Sequence, residues 1–313
     1  MKYNILTGVR ATGYMHLGNY VGAIRPLMYK VQQMPYSTPL LLIADYHSLT
    51  CLKDPLLRQT YRRHIASALL SMNIPNARVV LQSSIAELTE LHWIFSSYVT
   101  LGNIKRCHTY KASTDKSGMN LALFSYPVLM AADILGLEAD VVTVGQDQAQ
   151  HLEIARTLAR NMDLKIPKAE IQNVSNLIGT DGRKMSKSYD NTLPIFDSPE
   201  GIYKIIMSIP TSSQGIHEPK DSGSCTIFAL YSAIASEVQI AELQVCYDRG
   251  ISWKEAKGRL YELVMQEFQE ARERYTNYFD DTVLLDSKLA QDAQLIREQS
   301  RLLLKSVKQK IGI

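Results

Sequence analysis

Leu40-Leu41-Leu42-Ile43-Ala44 is the stretch that decides the fold: five apolar residues in a row, stopping at a small residue and followed by Asp45. Tyr3–Leu6 and Arg78–Leu81 share this form, and each leads into a segment with helical character. Short apolar runs alternating with helices predict a parallel α/β sheet. A fourth run, Asp140–Val144, stops at Gly145, and the apolar residues that follow it, Leu152, Ala155, Leu158, Ala159 and Met162, keep helical spacing. In open parallel sheets ligands bind where strand ends turn into helices, so the turns at 7–19, 45–50 and 145–148 are where chemistry is expected.

Beyond Ser188 the strand signal fades. A stretch rich in Pro, Ser and Gly, 210–224, separates residues 199–209 from a remainder that reads as helix throughout. Ser252 with Glu255 three residues on predicts a capped helix to about Tyr278, and Asp286 or Ser287 starts a last one reaching Ile311. The organisation is an α/β domain followed by a helical domain.

At 313 residues the chain is long enough for about two domains, and 46% hydrophobic with 21% charged residues excludes a disordered chain. Lys and Arg number 34 against 31 Asp and Glu, and this net charge of +3 is too small to point to any partner. Divided after Ser188, however, the first part holds 20 basic and 13 acidic residues, the second 14 and 18. Basicity is concentrated in the α/β part. In the last helix Arg297, Arg301, Lys305, Lys308 and Lys310 face only Glu298, which reads either as a solvated face or as an RNA contact. Cys51, Cys107, Cys225 and Cys246 are too widely spaced for a metal knuckle and too few for a disulfide framework, so reduced thiols in a cytoplasmic protein are expected. Met1–Gly13 lacks the apolar core of a signal peptide. The longest apolar region, 121–144, is interrupted by Pro127, Asp133, Glu138 and Asp140, so no membrane span is expected.

The strongest motif is Lys184-Met185-Ser186-Lys187-Ser188 behind Gly182-Arg183. Two lysines and two hydroxyls on a Gly-led loop can close on a triphosphate and neutralise the charge that develops as pyrophosphate leaves. Such a string arises by chance in a chain of this length about once in ten thousand. Near the N-terminus, His16-Leu17-Gly18-Asn19 follows Gly8 and Gly13 and opens a helix predicted over about 18–33, with a kink or early stop at Pro26. Glycine lets the backbone approach a nucleotide, and the helix start offers unpaired N–H groups. By itself this tetrapeptide is weak, because a histidine in such a turn is more often a capping or packing residue.

In 125–136, Pro127 suits a first helical position and Gly136 a C-terminal cap, which predicts a short helix carrying Met130 and Asp133 on one face. An ionised Asp in an apolar segment needs a donor, and an indole N–H is a donor without acceptor capacity. Asp133 is therefore either the reader of an indole or a half-exposed residue near a helix end. Met130 offers a polarizable wall to an aromatic ring, and Leu6, Val142 and Val144 can line the same pocket from strand ends. Asp147, in Gly145-Gln146-Asp147-Gln148, is either a ligand contact or an N-cap.

These segments, in this order and over almost the whole chain, resemble the HIGH and KMSKS signatures of the class I aminoacyl-tRNA synthetases, and most closely the tryptophanyl-tRNA synthetase family. The similarity is carried by LTGVRATGYMHLGNYVGA (6–23), ADYHSLT (44–50), SYPVLMAADIL (125–135), VGQDQAQHLE (144–153) and GRKMSKS (182–188). It implies a Rossmann-like parallel-sheet catalytic domain (1–188) and an all-helical anticodon-binding domain (189–313), whose last helix, about 287–311, packs back on the catalytic domain. Catalysis would fall to His16, Asn19, Lys184 and Lys187. ATP would meet Arg10, Ala11, Thr12, His16, Gly18, Asn19, Gly145, Gln146, Asp147 and the loop Lys184, Met185, Ser186, Lys187 and Ser188. Tryptophan would meet Leu6, Tyr126, Met130, Asp133, Val142, Val144 and, through its ammonium, Gln148. Mg²⁺ would be held mainly by ATP phosphates, without a protein metal cage; tRNA(Trp) and a second copy of the chain are the implied partners.

Two departures stand out. Arg10-Ala11-Thr12 replaces the Gln-Pro-Ser of several relatives, and Gln146 replaces a common Glu. Tyrosyl-tRNA synthetases share the fold but often carry Gln at the position of Met130 and a Tyr near the first strand, where this chain has Leu6. That favours tryptophan over tyrosine. A small-molecule nucleotidyltransferase and a non-catalytic RNA-binding relative are the alternatives from other classes. The helical half argues against the first, and the joint presence of His16, Asn19, Lys184 and Lys187 against the second.

Overall fold

A computed structural model describes residues 3–107, 120–172 and 177–313. Five strands form one parallel sheet: β1 (Tyr3–Arg10), β2 (Ser37–Ala44), β3 (Arg78–Leu81), β4 (Val141–Gly145) and β5 (Lys168–Gln172), in the order β3-β2-β1-β4-β5. The order reverses direction between β1 and β4, the topological switch at which a doubly wound sheet opens its ligand crevice. The register sets Leu6 beside Leu40 and Val142. From Pro39 to Ala44, β2 is buried without interruption, which accounts for its unbroken apolar run: both faces are covered. Within the sheet the Thr7 and Thr143 hydroxyls bond to each other, and Thr143 also donates to the Leu6 carbonyl at 3.3 Å, so neither buried hydroxyl is left unpaired.

The helices in chain order are α1 (Leu17–Asn19), α2 (Arg25–Gln33), α3 (Asp45–Ser48), α4 (Pro55–Ser71), α5 (Ala86–Ser96), α6 (Leu101–Lys105), α7 (Leu121–Gly136), α8 (Ala149–Asn161), α9 (Pro199–Met207), α10 (Thr226–Ser232), α11 (Glu237–Arg249), α12 (Trp253–Glu267), α13 (Gln269–Asp280) and α14 (Thr282–Ile311). Several differ from expectation for local reasons. Pro26 does not stop the segment 17–33: a π-turn, Tyr20–Ile24, precedes it, and α2 runs on to Gln33. The helix α7 starts six residues before Pro127, since the Asn120 side chain accepts the Leu123 N–H at 2.8 Å and caps it there. Ser252 caps α12 as predicted, accepting the Glu255 N–H, but that helix ends at Glu267 and α13 follows after Phe268. The last helix begins at Thr282, capped by Asp281.

The chain divides into two compact units, each discontinuous in sequence, whereas a cut after Ser188 makes two continuous pieces. The first comprises residues 1–12, 26–173 and 277–313; the second, residues 13–25 and 174–276. The core of the first unit is apolar on both sides of the sheet. In that unit α14 lays Leu289, Ile296, Leu304 and Val307 inward and lies against β3, α5 and α7. Its polar anchors are specific. Asp292 accepts the Val79 N–H of the edge strand at 2.9 Å, Ser300 donates to the Gly136 carbonyl at 2.8 Å, and Lys310 donates to the carbonyls of Met162 and Asp163 at 2.8 and 2.9 Å. Arg297 pairs with Glu87 at 3.0 Å and Lys308 with Glu90. Three of the five basic residues singled out on this helix are thus engaged in packing it. In the second unit, helices α9 to α12 pack on one another around Ile202, Ile206, Leu230, Tyr247 and Leu260.

Candidate active site

The first unit gathers the residues expected around an indole. Leu6, Val142 and Val144 belong to one buried cluster, and Met130 of α7 packs against it; Leu6 lies midway along β1 and Val142 near the start of β4, not at the strand ends, because β1 runs on to Arg10. Asp133, one helical turn beyond Met130, is 3% exposed, so the alternative of a half-exposed helix-end carboxylate is excluded. Its Oδ2 lies 2.9 Å from His47 Nε2, and its Oδ1 accepts from Gln82 Nε2 at 2.7 Å. Gln82 is itself oriented: its Oε1 takes the Tyr46 N–H at 3.1 Å. Of roughly four lone-pair positions on a carboxylate, these bonds use two.

His47 and Gln82 sit just past β2 and β3, at the strand ends where the fold collects ligands, and sequence reasoning assigned them no role. The turn 45–50 was marked by topology; nothing marked Gln82. A third such residue is His92 on α5. Burial lowers its pKa while the Asp133 charge raises it, and its Nε2 is a buried atom without a hydrogen-bond partner, as is His47 Nδ1. Tyr126 extends the group: its hydroxyl donates to Gln148 Oε1, lies 3.3 Å from His151 Nδ1, and its ring meets His47 edge-on at 5.1 Å. Tyr126 and Gln148 are therefore joined directly, with the fully buried His151 holding Gln148 at 2.7 Å.

Gly145, Gln146 and Gln148 run from the end of β4 through a 3₁₀ turn into α8. The N-cap position of α8 falls on Gln148, so Asp147 is not its cap; the Asp147 side chain lies outside the described ones. Arg10 is the exposed last residue of β1, with Ala11 buried and Thr12 half-buried beyond it.

The second unit brings together the HLGN and KMSKS segments, 165 or more residues apart in sequence. His16 is 8% exposed and stands at the N-cap position of α1, where its own N–H donates to Asn19 Oδ1 at 3.2 Å. Leu17 N–H donates to the Leu193 carbonyl at 2.8 Å, tying this turn to the chain just past the lysine loop. Two glycines permit the approach. At Gly13 the backbone has φ +150° and an added Cβ would lie 3.0 Å from Lys187 Cδ; at Gly18 it would meet both the His16 ring and Met185 Sδ at about 3 Å. Burial, and next the Lys187 ammonium, push the His16 imidazole down to about 4, so it is neutral at pH 7. His16 Nδ1 is buried without a hydrogen-bond partner. Within the loop Met185 is buried, Lys184 and Ser188 are exposed, and Ser186 and Lys187 are half-buried.

Among the described residues no group of three or more His, Cys, Asp or Glu is arranged to hold a metal ion, and no helix is long and apolar enough to cross a membrane.

Comparison with known proteins identifies the family. The chain is 38% identical, over its full length and 74% of the relative, to a tryptophan–tRNA ligase of Pseudomonas syringae pv. tomato. It is 36% identical, over its full length and 98% of the relative, to that of Neisseria meningitidis serogroup A. A crystal structure of tryptophanyl-tRNA synthetase from Campylobacter jejuni, complexed with ADP and tryptophan, superposes with a TM-score of 0.91 at 37% identity, covering 99% of this chain and 100% of that one. The profile of the tRNA synthetases class I (W and Y) matches residues 1–269, and this chain belongs to that family.

Proposed function

We propose that the chain is a tryptophan–tRNA ligase, which activates L-tryptophan with ATP and transfers it to tRNA(Trp). The observation that carries this reading is Asp133: a buried carboxylate, oriented by two side chains, with acceptor capacity left over beside the apolar cluster that holds Leu6, Val142 and Val144. An indole fits such a pocket, because its one polar group is a donor. Met130 and Leu6, which stand where tyrosyl-tRNA synthetases often carry Gln and Tyr to hold a phenol, favour the indole.

In the first step the tryptophan carboxylate attacks the α-phosphorus in line. A carboxyl O–P bond forms, the bond to the bridging oxygen breaks, and pyrophosphate leaves with the electron pair. In the second, a terminal ribose hydroxyl of tRNA attacks the acyl carbon, loses its proton, and AMP departs. No covalent enzyme intermediate is required, so the protein works by placement and charge. Lys184 and Lys187 neutralise the departing phosphates. His16, neutral at pH 7, can donate one hydrogen bond to a phosphate without adding a cation. Asn19, Gly18 and the loop residues Met185, Ser186 and Ser188 complete the nucleotide contacts, with Arg10, Ala11, Thr12, Gly145, Gln146 and Asp147 toward adenosine. Gln148 receives the substrate ammonium on Oε1, which exchanges its Tyr126 or His151 bond for the ligand's. Mg²⁺ enters as Mg-ATP, held mainly through phosphate oxygens.

The α/β part, 1–188, is the catalytic domain in this reading and the helical part, 189–313, reads the anticodon in the cytoplasm. The acidic balance of the helical part means that local contacts, not a broad positive field, select the tRNA. A homodimer is implied by the family and is supported by Trp93 at 78% exposure with Tyr98 and Leu101 also exposed nearby in the chain. Light scattering should return twice the 35.3 kDa chain mass; a monomer would remove this part of the reading. Function itself is tested by charging purified tRNA(Trp) with tryptophan, and charging with tyrosine instead would overturn it.

A further inference from the structure

The lysine loop is held by a side chain that sequence reading assigned no task. Residues 177–185 fold back on themselves: Gly179 N–H donates to the Arg183 carbonyl at 2.6 Å, Met185 N–H to Leu177 at 2.8 Å, and Gly182, with φ +82°, makes the turn. Asn191 inserts into this hairpin and is 1% exposed. Both ends of its carboxamide are engaged. Oδ1 accepts the Ser186 N–H at 2.8 Å, while Nδ2 donates to Asp181 Oδ1 at 2.7 Å and to the Lys184 carbonyl at 3.1 Å. Its backbone carbonyl takes the Thr180 N–H at 2.9 Å. One amide therefore bonds residues on both sides of Lys184 and the backbone of Lys184 itself. The contact is close enough to dictate Gly179, where a Cβ would fall 2.3 to 2.5 Å from the Asn191 amide and carbonyl. Asp181, exposed to solvent, is drawn down to about 2 first by Asn191 and then by Arg183, so it stays ionised and the pair stays oriented.

We infer that Asn191, braced by Asp181, is a positioning residue for the reaction: it sets the backbone from which Lys184 and Lys187 reach the phosphates, and touches no substrate itself. The inference rests on the proposed phosphate role of the two lysines. Replacing Nδ2 by oxygen in Asn191→Asp keeps the shape and the Ser186 bond but turns two attractive contacts, to Asp181 and to the Lys184 carbonyl, into oxygen facing oxygen. Asp181→Asn restores a donor to the first of these.

Wild type, Asn191→Asp, Asp181→Asn and the double variant should be compared by tryptophan-dependent ATP–pyrophosphate exchange, with tryptophan affinity measured separately by equilibrium dialysis. The expected result is a drop of about tenfold or more in exchange kcat for Asn191→Asp, tryptophan Kd changed less than twofold, and recovery of at least threefold in the double variant. Unchanged kcat in Asn191→Asp, or a double variant no better than it, overturns the inference. Since Asn191 is buried, Asp181→Ala, at an exposed position, is the second variant: it should weaken ATP binding, read directly by calorimetry with a non-hydrolysable ATP analogue, at least threefold. Undiminished binding there also counts against the inference. A wild-type protein that binds the analogue but exchanges with no amino acid would fail the functional reading instead, leaving the Asp181→Ala binding measurement to decide on the loop.

Discussion

Asp133→Asn isolates the charge in the indole pocket without emptying it. In the wild type both carboxylate oxygens face donors, Gln82 Nε2 at 2.7 Å and His47 Nε2 at 2.9 Å. Gln82 cannot turn over freely, because its Oε1 already holds the Tyr46 N–H. An asparagine must therefore keep its oxygen toward Gln82 and point its NH₂ at His47. That arrangement is open only if the imidazole proton moves to Nδ1, which has no hydrogen-bond partner. The variant should fold, with a cost of about 1–2 kcal/mol for the unpaired donor. The indole N–H then meets a neutral acceptor in place of a charged one. Bonds to charged groups contribute about 1.5–3 kcal/mol and neutral ones about 0.5–1.5, so tryptophan binding should weaken by about 1–1.5 kcal/mol, close to tenfold in Kd. Asp133→Ala would strand Gln82 and His47, a cost to folding, and by removing the acceptor outright should weaken tryptophan binding by about 1.5–3 kcal/mol, or about ten- to a hundredfold. Equilibrium dialysis with labelled tryptophan reads this directly, and KM for ATP should move less than twofold in the Asn variant. Equal tryptophan affinity in wild type and Asp133→Asn would take Asp133 out of the pocket and refute the reasoning.

Lys184→Ala and Lys187→Ala should each lower the rate of adenylate formation in single-turnover experiments by more than they lower tryptophan affinity, since the charges matter most as pyrophosphate departs; a change confined to tryptophan Kd would contradict the assignment. For His16 the folded-state pKa lies below the unfolded value near 6.5, so the unfolded chain binds the extra proton as pH falls. The contribution to stability is complete above pH 6.5 and is lost between there and about 4, up to about 3 kcal/mol. Denaturant titrations at pH 7 and 4.5 should show His16→Gln losing less stability over this range than wild type; identical slopes would place the imidazole in water.

Much of the fold was legible because burial and sequence spoke together. The run 40–44 lies in a strand covered on both faces, where unbroken apolarity is itself the signal, and Val141–Val144, apolar but for Thr143, are likewise buried in β4. The strand β5 was not seen, because Lys168 and Glu170 alternate with apolar residues on a five-residue edge and no apolar run announces it. Likewise β1 continues to Arg10 beyond its apolar start only because Thr7–Arg10 pair with Leu41–Ala44. At Pro127 two local signals competed, and the Asn120 cap prevailed over the proline's preference for the first turn.

The site divides the same way. His16, Lys184 and Lys187 stand in motifs that can be read along the chain. His47 lies in the ADYHSLT segment with no role read from it, and Gln82 and Asn191 lie in no motif, although each of the three makes bonds that orient a motif residue. Gln82 lies 51 residues from Asp133 and His47 lies 86, so only the folded sheet shows that they share a carboxylate. Asn191 is close in sequence to the loop it holds, yet an Asn after a basic loop is common in turns, and only its burial separates this one from the rest.

The central claim, activation of tryptophan by this pocket, is tested most directly by exchange of labelled pyrophosphate into ATP with each amino acid supplied alone. The account predicts exchange with tryptophan and none above background with tyrosine; exchange with tyrosine in place of tryptophan would contradict it.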